Sequence, residues 1–379
     1  MNPDLDTVLA GLVRGDQGLS ATLALFEPDL VCDRAEYHGV TPLLAQRLVE
    51  ARDVSPHLHA RLQLRGKLEL AADLLREAEV RRAIAAFDAQ GICTLLLKGA
   101  HLAYGWYERP DLRPRIDTDL LVAPSACDAV NRILLGIGYD PPSHATGALL
   151  TYQAAYRKRR NQLLIHVFDV HWRIANPQAF AAVLSFEELV RAAVSVPQLG
   201  SGARALSAAD ALLLACVHRV AHHFDSNRLI WLYDIHLIAS GLPADGWEHF
   251  LSLVEQRKVA AVCRRSLERT IDRFYTQIPR AVLDDPRLRL SAIAEPTAAY
   301  LTPRRHVHNV VNDLQALPTW WERLRLVREH LFPSSRYMRE VYGLSSRTPL
   351  PFLYAQRAVR GAWRWLERPA GKDDASLIG

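Results

Sequence analysis

Two short apolar runs, joined by a glycine turn and a basic loop, constrain this chain more than any other stretch. Residues 95 to 122 read LLLKGAHLAYGWYERPDLRPRIDTDLLV. The first run ends in Lys98-Gly99, and Ala100 to Tyr107 can be helical. A Pro/Arg-rich loop follows, then a second apolar run carrying Asp117-Thr118-Asp119. The spacing predicts strand, turn, helix, loop, strand. Side chains alternate faces along a strand, so Asp117 and Asp119 are expected to point the same way. Two neighbouring carboxylates repel each other, and a divalent cation between them removes the conflict. The ordinary alternative is a capping or solvent-facing acid pair on an edge strand. Flanking Ile116, Leu120, Leu121 and Val122 argue for burial, where an unpaired carboxylate costs several kcal/mol.

Gly99 lets the backbone approach a ligand, and a helix starting there offers unpaired N–H groups to phosphate. Phosphate at one end and paired carboxylates at the other suit metal-assisted phosphoryl or nucleotidyl transfer. An ordinary strand-to-helix turn is the bland reading of Lys98-Gly99. Leu163 to Trp172, LLIHVFDVHW, reads as a further strand. Asp169 and His171 share one of its faces; His166, Phe168 and Val170 share the other. If this strand neighbours the first, Asp169 joins Asp117 and Asp119 as a third acid. A buried acid paired with an arginine is the alternative.

The order of these parts resembles the DNA polymerase beta-type nucleotidyltransferase superfamily. Within it, the chain is most similar to the bacterial "uncharacterised nucleotidyltransferase" family. The stretches that carry the resemblance are Leu96-Leu97-Lys98-Gly99 with Arg115-Ile116-Asp117-Thr118-Asp119-Leu120-Leu121-Val122, then Asp169-Val170-His171-Trp172, then Arg228-Leu229-Ile230-Trp231-Leu232-Tyr233-Asp234. His38-Gly39-Val40-Thr41-Pro42-Leu43 also fits, and the similarity runs over roughly residues 35 to 240. The wider superfamily has Gly-Ser or Gly-Gly at the turn; Gly99-Ala100 offers no hydroxyl, and the gap to Asp117 is longer here.

The resemblance implies an α+β fold: a small mixed-sheet nucleotidyltransferase core embedded between mostly helical lobes. It implies an enzyme that moves a nucleoside monophosphate from an NTP to an acceptor and releases pyrophosphate. Asp117, Asp119 and Asp169 are the implied catalytic and metal-binding residues, holding two Mg²⁺ or Mn²⁺ ions, the ions that hard oxygen ligands select. Lys98, Gly99, Ala100, Arg115 and His171 are the implied nucleotide contacts. The acceptor is left open among a protein, a peptide, an RNA end and a small molecule. A non-catalytic nucleotide- or partner-binding module on this fold, and another Mg-dependent phosphotransferase, stay open as alternatives.

Other charged groups are less specific. Arg109 and Arg113 are as consistent with a solvated loop as with phosphate. Arg157-Lys158-Arg159-Arg160 is expected to form a basic turn, more often solvated than bound to nucleic acid, and no interleaved aromatics suggest base stacking. His218 and His222 are spaced i, i+4 as in some zinc sites, but Arg219 stands where a catalytic glutamate would. Polar contacts to the catalytic lobe, or a nucleotide-facing role, suit them better. Asp234 is expected to tie two lobes together through an arginine.

The 379 residues, 49% hydrophobic and 23% charged, suggest two or three lobes. We expect an N-terminal helical lobe over 1–85, the catalytic core over 86–175, a helical lobe over 176–300 and a basic tail over 301–379. Helical spacing is clearest over 67–89, with Leu70, Leu74, Leu75, Val80, Ile84 and Phe87 as its apolar face and Gly91 as its stop. Residues 208–224, 229–240 and 247–274 read as single helices, and an Arg/Trp-rich helix is expected over 352–367. That basic amphipathic helix is expected to pack on its own protein. No apolar run approaches the roughly 18 residues of a membrane span, and no signal-peptide pattern opens the chain. Five scattered cysteines without a CxxC pair are expected to be reduced, in a cytoplasmic protein. A net charge of +5 permits anionic substrates without indicating nucleic acid.

Overall fold

A computed structural model describes residues 4–16, 18–142, 149–289, 295–302, 306–333, 335, 338–339 and 349–366. Four helices come first: α1 (Leu5–Arg14), α2 (Pro28–His38), α3 (Thr41–Arg47) and α4 (Pro56–Asp88). Asp4 caps α1 by accepting from the Thr7 N–H, and Gly15 at φ 95° ends it. Next come β1 (Thr94–Leu96), α5 (Lys98–Gly105), β2 (Thr118–Val122), α6 (Cys127–Gly136), β3 (Gln153–Arg160) and β4 (Leu163–His171). The short α7 (Gln178–Ala181) and α8 (Phe186–Arg191) lead to β5 (Val194–Ser195) and β6 (Arg204–Ala205). Then α9 (Ala208–Ala221), α10 (Leu229–Gly241), α11 (Ala244–Arg257) and α12 (Ala260–Phe274) complete the body. The last helix, Leu350–Leu366, matches the expected tail helix in extent; its side chains from 360 on, and residues 367–379, lie outside the described residues.

The fold is α+β. Among the described residues the strands form one six-stranded mixed sheet, in the order β3-β4-β2-β1-β6-β5. β2 runs antiparallel to β1 and parallel to β4. Odd and even residues of the central strands face different cores, as strand pleating requires. Leu95, Leu97 and Leu121 join one apolar cluster with α1–α3 and α9–α12. Leu96, Leu120, Val122, Phe168 and Val170 join another with Val80, Ile84 and Phe87 of α4 and Val130 and Leu134 of α6.

Four expectations need correction. Leu70, Leu74 and Leu75 do not face the core; they are 41, 59 and 55% exposed, while Val80, Ile84 and Phe87 are buried. The inward line of α4 here carries Asp73 and Arg76 instead, because Asp73 meets the buried Arg115 at 2.5 Å. The basic run 157–160 is the end of β3, not a turn. The turn is Asn161-Gln162, both at positive φ (50° and 69°), the backbone twist a two-residue hairpin needs. Lys158 pairs with Glu79 at 2.7 Å and Arg159 with Asp140 at 2.7 Å. The helix read over 247–274 is two: Lys258 at φ 53° closes α11, and the Glu295 carboxylate caps α12 by accepting from Ala260 N and Ala261 N at 2.9 and 2.8 Å. Finally, β2 starts at Thr118, so Asp117 lies in the bend before it, and Ile116 is 71% exposed.

All five cysteines are free thiols. No helix among the described residues is long and apolar enough to cross a membrane.

On the α4 side of the sheet, His166 is buried between Thr118 Oγ1 at 2.9 Å and the Tyr139 hydroxyl at 2.8 Å. Burial pushes it, and His101 on α5, down to about 3. A base whose pKa is lower folded than unfolded contributes stability above the unfolded pKa and loses it as pH falls. With an unfolded value near 6.5, moving from pH 7 to 5 should cost about 2 kcal/mol for each histidine, or about 4 kcal/mol together. Denaturant midpoints at the two pH values check this. His166→Gln should shrink the measured drop by about 2 kcal/mol; an undiminished drop would refute the assignment.

Candidate active site

The parallel pairing of β2 and β4 sets Asp119 directly beside Asp169 and Leu121 beside His171. Asp169 and His171 alternate onto the same face, as their spacing predicts. That face looks toward α9 and α10. Asp119, Asp169 and His171 are 6, 8 and 0% exposed, and one potential ligand atom from each lies within 4.8 Å of the others. His171 Nε2 is 2.9 Å from Asp119 Oδ1 and 3.4 Å from Asp169 Oδ2. Asp117 stands outside this close group but near enough to raise and be raised by its charges.

Lys98 completes the cluster. Its Nζ donates to Asp119 Oδ1 at 2.6 Å and lies 3.4 Å from His171 Nε2. The residue in left-handed backbone at this turn is Lys98 itself, at φ 47°, and not Gly99. That conformation costs a lysine on the order of 1 kcal/mol, a strain typical of functional sites. A Cβ on Gly99 would meet Arg113 and Arg115 side chains no closer than 3.6 Å, so neighbours do not demand glycine there.

The electrostatics follow from burial. Desolvation raises Asp119, but Lys98 and His171 outweigh it and hold the carboxyl far below its usual range. Asp117 has no such partner, and burial followed by the Asp119 charge pushes it well up. Burial opposes the charge on Lys98, yet Asp119 and Asp169 overcome it and raise the ammonium above its usual value. Asp169 Oδ2 accepts from Gln153 Nε2 at 2.7 Å, and Gln153 is in turn held by Asn176 at 3.3 Å. Asp169 Oδ1 is buried with no hydrogen-bond partner, and so is His171 Nδ1. A buried carboxylate with one unsatisfied oxygen, grouped with a second carboxylate and an imidazole, fits a divalent cation.

The arginines lie elsewhere. Arg115, expected at the phosphates, is buried against Asp73, Pro110 O at 3.2 Å and the Tyr104 ring. Arg113 forms a bidentate pair with Asp234 at 2.8 and 2.7 Å, and Tyr107 donates to the same carboxylate at 2.8 Å. Asp234 of α10 is therefore the tie between the loop before β2 and the helical lobe. Arg109 pairs with Asp111 at 2.7 Å. The His218 and His222 rings are tilted at 33° with centroids 5.2 Å apart, and no metal-ligand trio among the described residues includes them.

The family described as "uncharacterised nucleotidyltransferase" matches residues 25–274. The chain belongs to this family. The match takes in α2 through α12, hence the whole sheet and every residue of the cluster around Asp119. Membership of a nucleotidyltransferase family supports a role in nucleotidyl transfer. No curated protein matches the chain. In this family member, sequence reasoning missed Gln153 and Asn176, which orient Asp169. Gln153 sits opposite His171 in the β3–β4 register, and that register depends on an Asn-Gln turn with no glycine to announce it. Sequence reasoning also missed Asp73, whose place among the many charged residues of α4 gave no sign of a buried arginine partner.

Proposed function

We propose that this chain transfers a nucleoside monophosphate from an NTP to a hydroxyl or phosphate acceptor and releases pyrophosphate. The observation that carries the reading is the β2–β4 pairing, which gathers two buried carboxylates and an imidazole, with Asp169 Oδ1 left unsatisfied. Asp119, Asp169 and His171 would hold a divalent ion, Mg²⁺ or Mn²⁺, and Asp117 would share a second with Asp119. Bound there, such ions neutralise phosphate charge and acidify an attacking hydroxyl.

The remaining work falls to the chain's own groups. Lys98 Nζ, now on Asp119, offers a cation to the phosphates. The backbone N–H groups of Gly99 and Ala100, at the start of α5, face the same ligand. Gln153 fixes one oxygen of Asp169, leaving Oδ1 to take the proton of the attacking hydroxyl. The acceptor oxygen then bonds to the α-phosphorus, the bond to the bridging oxygen breaks, and pyrophosphate leaves with that electron pair.

Calorimetric titration of each NTP, with and without Mg²⁺, tests the reading on the wild type and on Asp117→Asn/Asp119→Asn. At least one NTP should bind only with the metal, and the double variant should lose at least ~10-fold in affinity. Folded wild-type protein that binds no NTP in a metal-dependent way would refute it.

A further inference from the structure

The acid cluster has a counterpart across the site that the proposed chemistry has not used. The end of α9 carries His218, His222 and His223. The His218 ring is 5.2 Å from His222 and 4.7 Å, edge to face, from His223. His218 lines one small cavity together with Lys98 and Arg113. His222 Nε2 is shut off from solvent and has no hydrogen-bond partner. Lys98, His171 and Asp119 all act electrostatically on His222. Lys98 thus stands between two unlike walls, one of carboxylates and one of imidazoles.

The imidazole wall has nearby carboxylates, but they are taken. Asp225 is paired with the fully buried Arg219 and, at 3.1 Å, with Arg265. Asp234 is held by Arg113 and Tyr107. What remains is a set of imidazoles without an anionic partner of their own, beside an ammonium that Asp119 holds from the other side. A nucleobase is a poorer match. The Trp231 ring is already stacked by His223 at 3.7 Å and lies under the Arg228 guanidinium at 4.9 Å. A cation for the acids and an anion for the imidazoles would share one ligand, a metal-bound polyphosphate.

We infer that His222 and His218, with Lys98, form the binding site for the β- and γ-phosphates, the part of the donor that departs as pyrophosphate. This rests on the nucleotidyl-transfer reading for the identity of the anion, and it assigns the imidazole donors their role. Neutral imidazoles donate one hydrogen bond each to phosphate oxygens, and none of them touches the α-phosphorus. His222 and His218 are therefore binding residues.

The test uses inorganic pyrophosphate with Mn²⁺ on the full chain. Calorimetry gives pyrophosphate affinity, and electron paramagnetic resonance of Mn²⁺ alone gives metal affinity. His222→Ala should weaken pyrophosphate at least tenfold and leave Mn²⁺ binding within about twofold. His222→Gln, which keeps an amide donor, should lose less, and it replaces the alanine variant should that one not fold. Unchanged pyrophosphate affinity in the variants, or no pyrophosphate binding by the wild type, overturns the inference. Turnover of NTP is scored separately. Pyrophosphate binding that depends on His222, without any NTP turnover, keeps the anion site and removes the nucleotidyl-transfer reading. NTP turnover with pyrophosphate affinity indifferent to His222 does the reverse.

Discussion

Asp169→Asn is expected to lower nucleotidyl transfer by roughly a thousandfold, equivalent to about 4 kcal/mol of lost transition-state stabilisation. The fold should survive the change. Asp169 is buried, but only one of its oxygens has a protein partner, Gln153 at 2.7 Å. An asparagine can turn its carbonyl to that amide and keep the size and shape of the side chain. The substitution also removes a negative charge from a cluster in which Asp117 is already pushed toward its neutral form. Pyrophosphate release from the NTP that binds measures the activity, and a thermal melt measures the fold. Activity within tenfold of wild type would remove Asp169 from the mechanism.

Asp234→Ala should have the largest effect on stability. Asp234 is 4% exposed and takes three hydrogen bonds, two from Arg113 and one from Tyr107. Removing it leaves a guanidinium buried without a counter-charge, which costs about 3–5 kcal/mol. It also frees the loop that delivers Asp117 and Asp119 from its anchor on α10. An unfolding free energy, from denaturant titration, that falls by less than about 1 kcal/mol would mean that solvent reaches Arg113 and the tie is weak.

The catalytic strands were legible because their code is short-range. Alternation alone put Asp169 and His171 on one face and His166, Phe168 and Val170 on the other, and the sheet keeps that division. The partner strand was a matter of topology, and the resemblance supplied it. Asp234 was recognised as a tie, since a lone acid in an apolar helix needs a cation. Which arginine it would take was not readable, because Arg109, Arg113 and Arg115 sit in one loop and differ only in their three-dimensional neighbours. The exposed leucines of α4 misled for a related reason. Helical spacing reports an apolar stripe but not what covers it, and the buried Asp73–Arg115 pair claimed the inward direction. The break at Lys258 had no local signal at all. Its cause, Glu295, lies 35 residues beyond the α12 N–H it caps.

The apolar cluster shared by α1–α4 and α9–α12 also says something about synthesis. Residues Leu5 to Leu62 bury their side chains with Ile174 to Leu288. Arg14 on α1 reaches the carbonyl of Arg273 at 2.7 Å across 259 residues of sequence. At about 5–20 residues per second, a ribosome needs roughly 10–50 s to deliver the second half of that core after the first has emerged. Throughout that interval the leading helices wait with their leucines uncovered. The growing chain therefore still needs a holding chaperone after its catalytic strands have emerged.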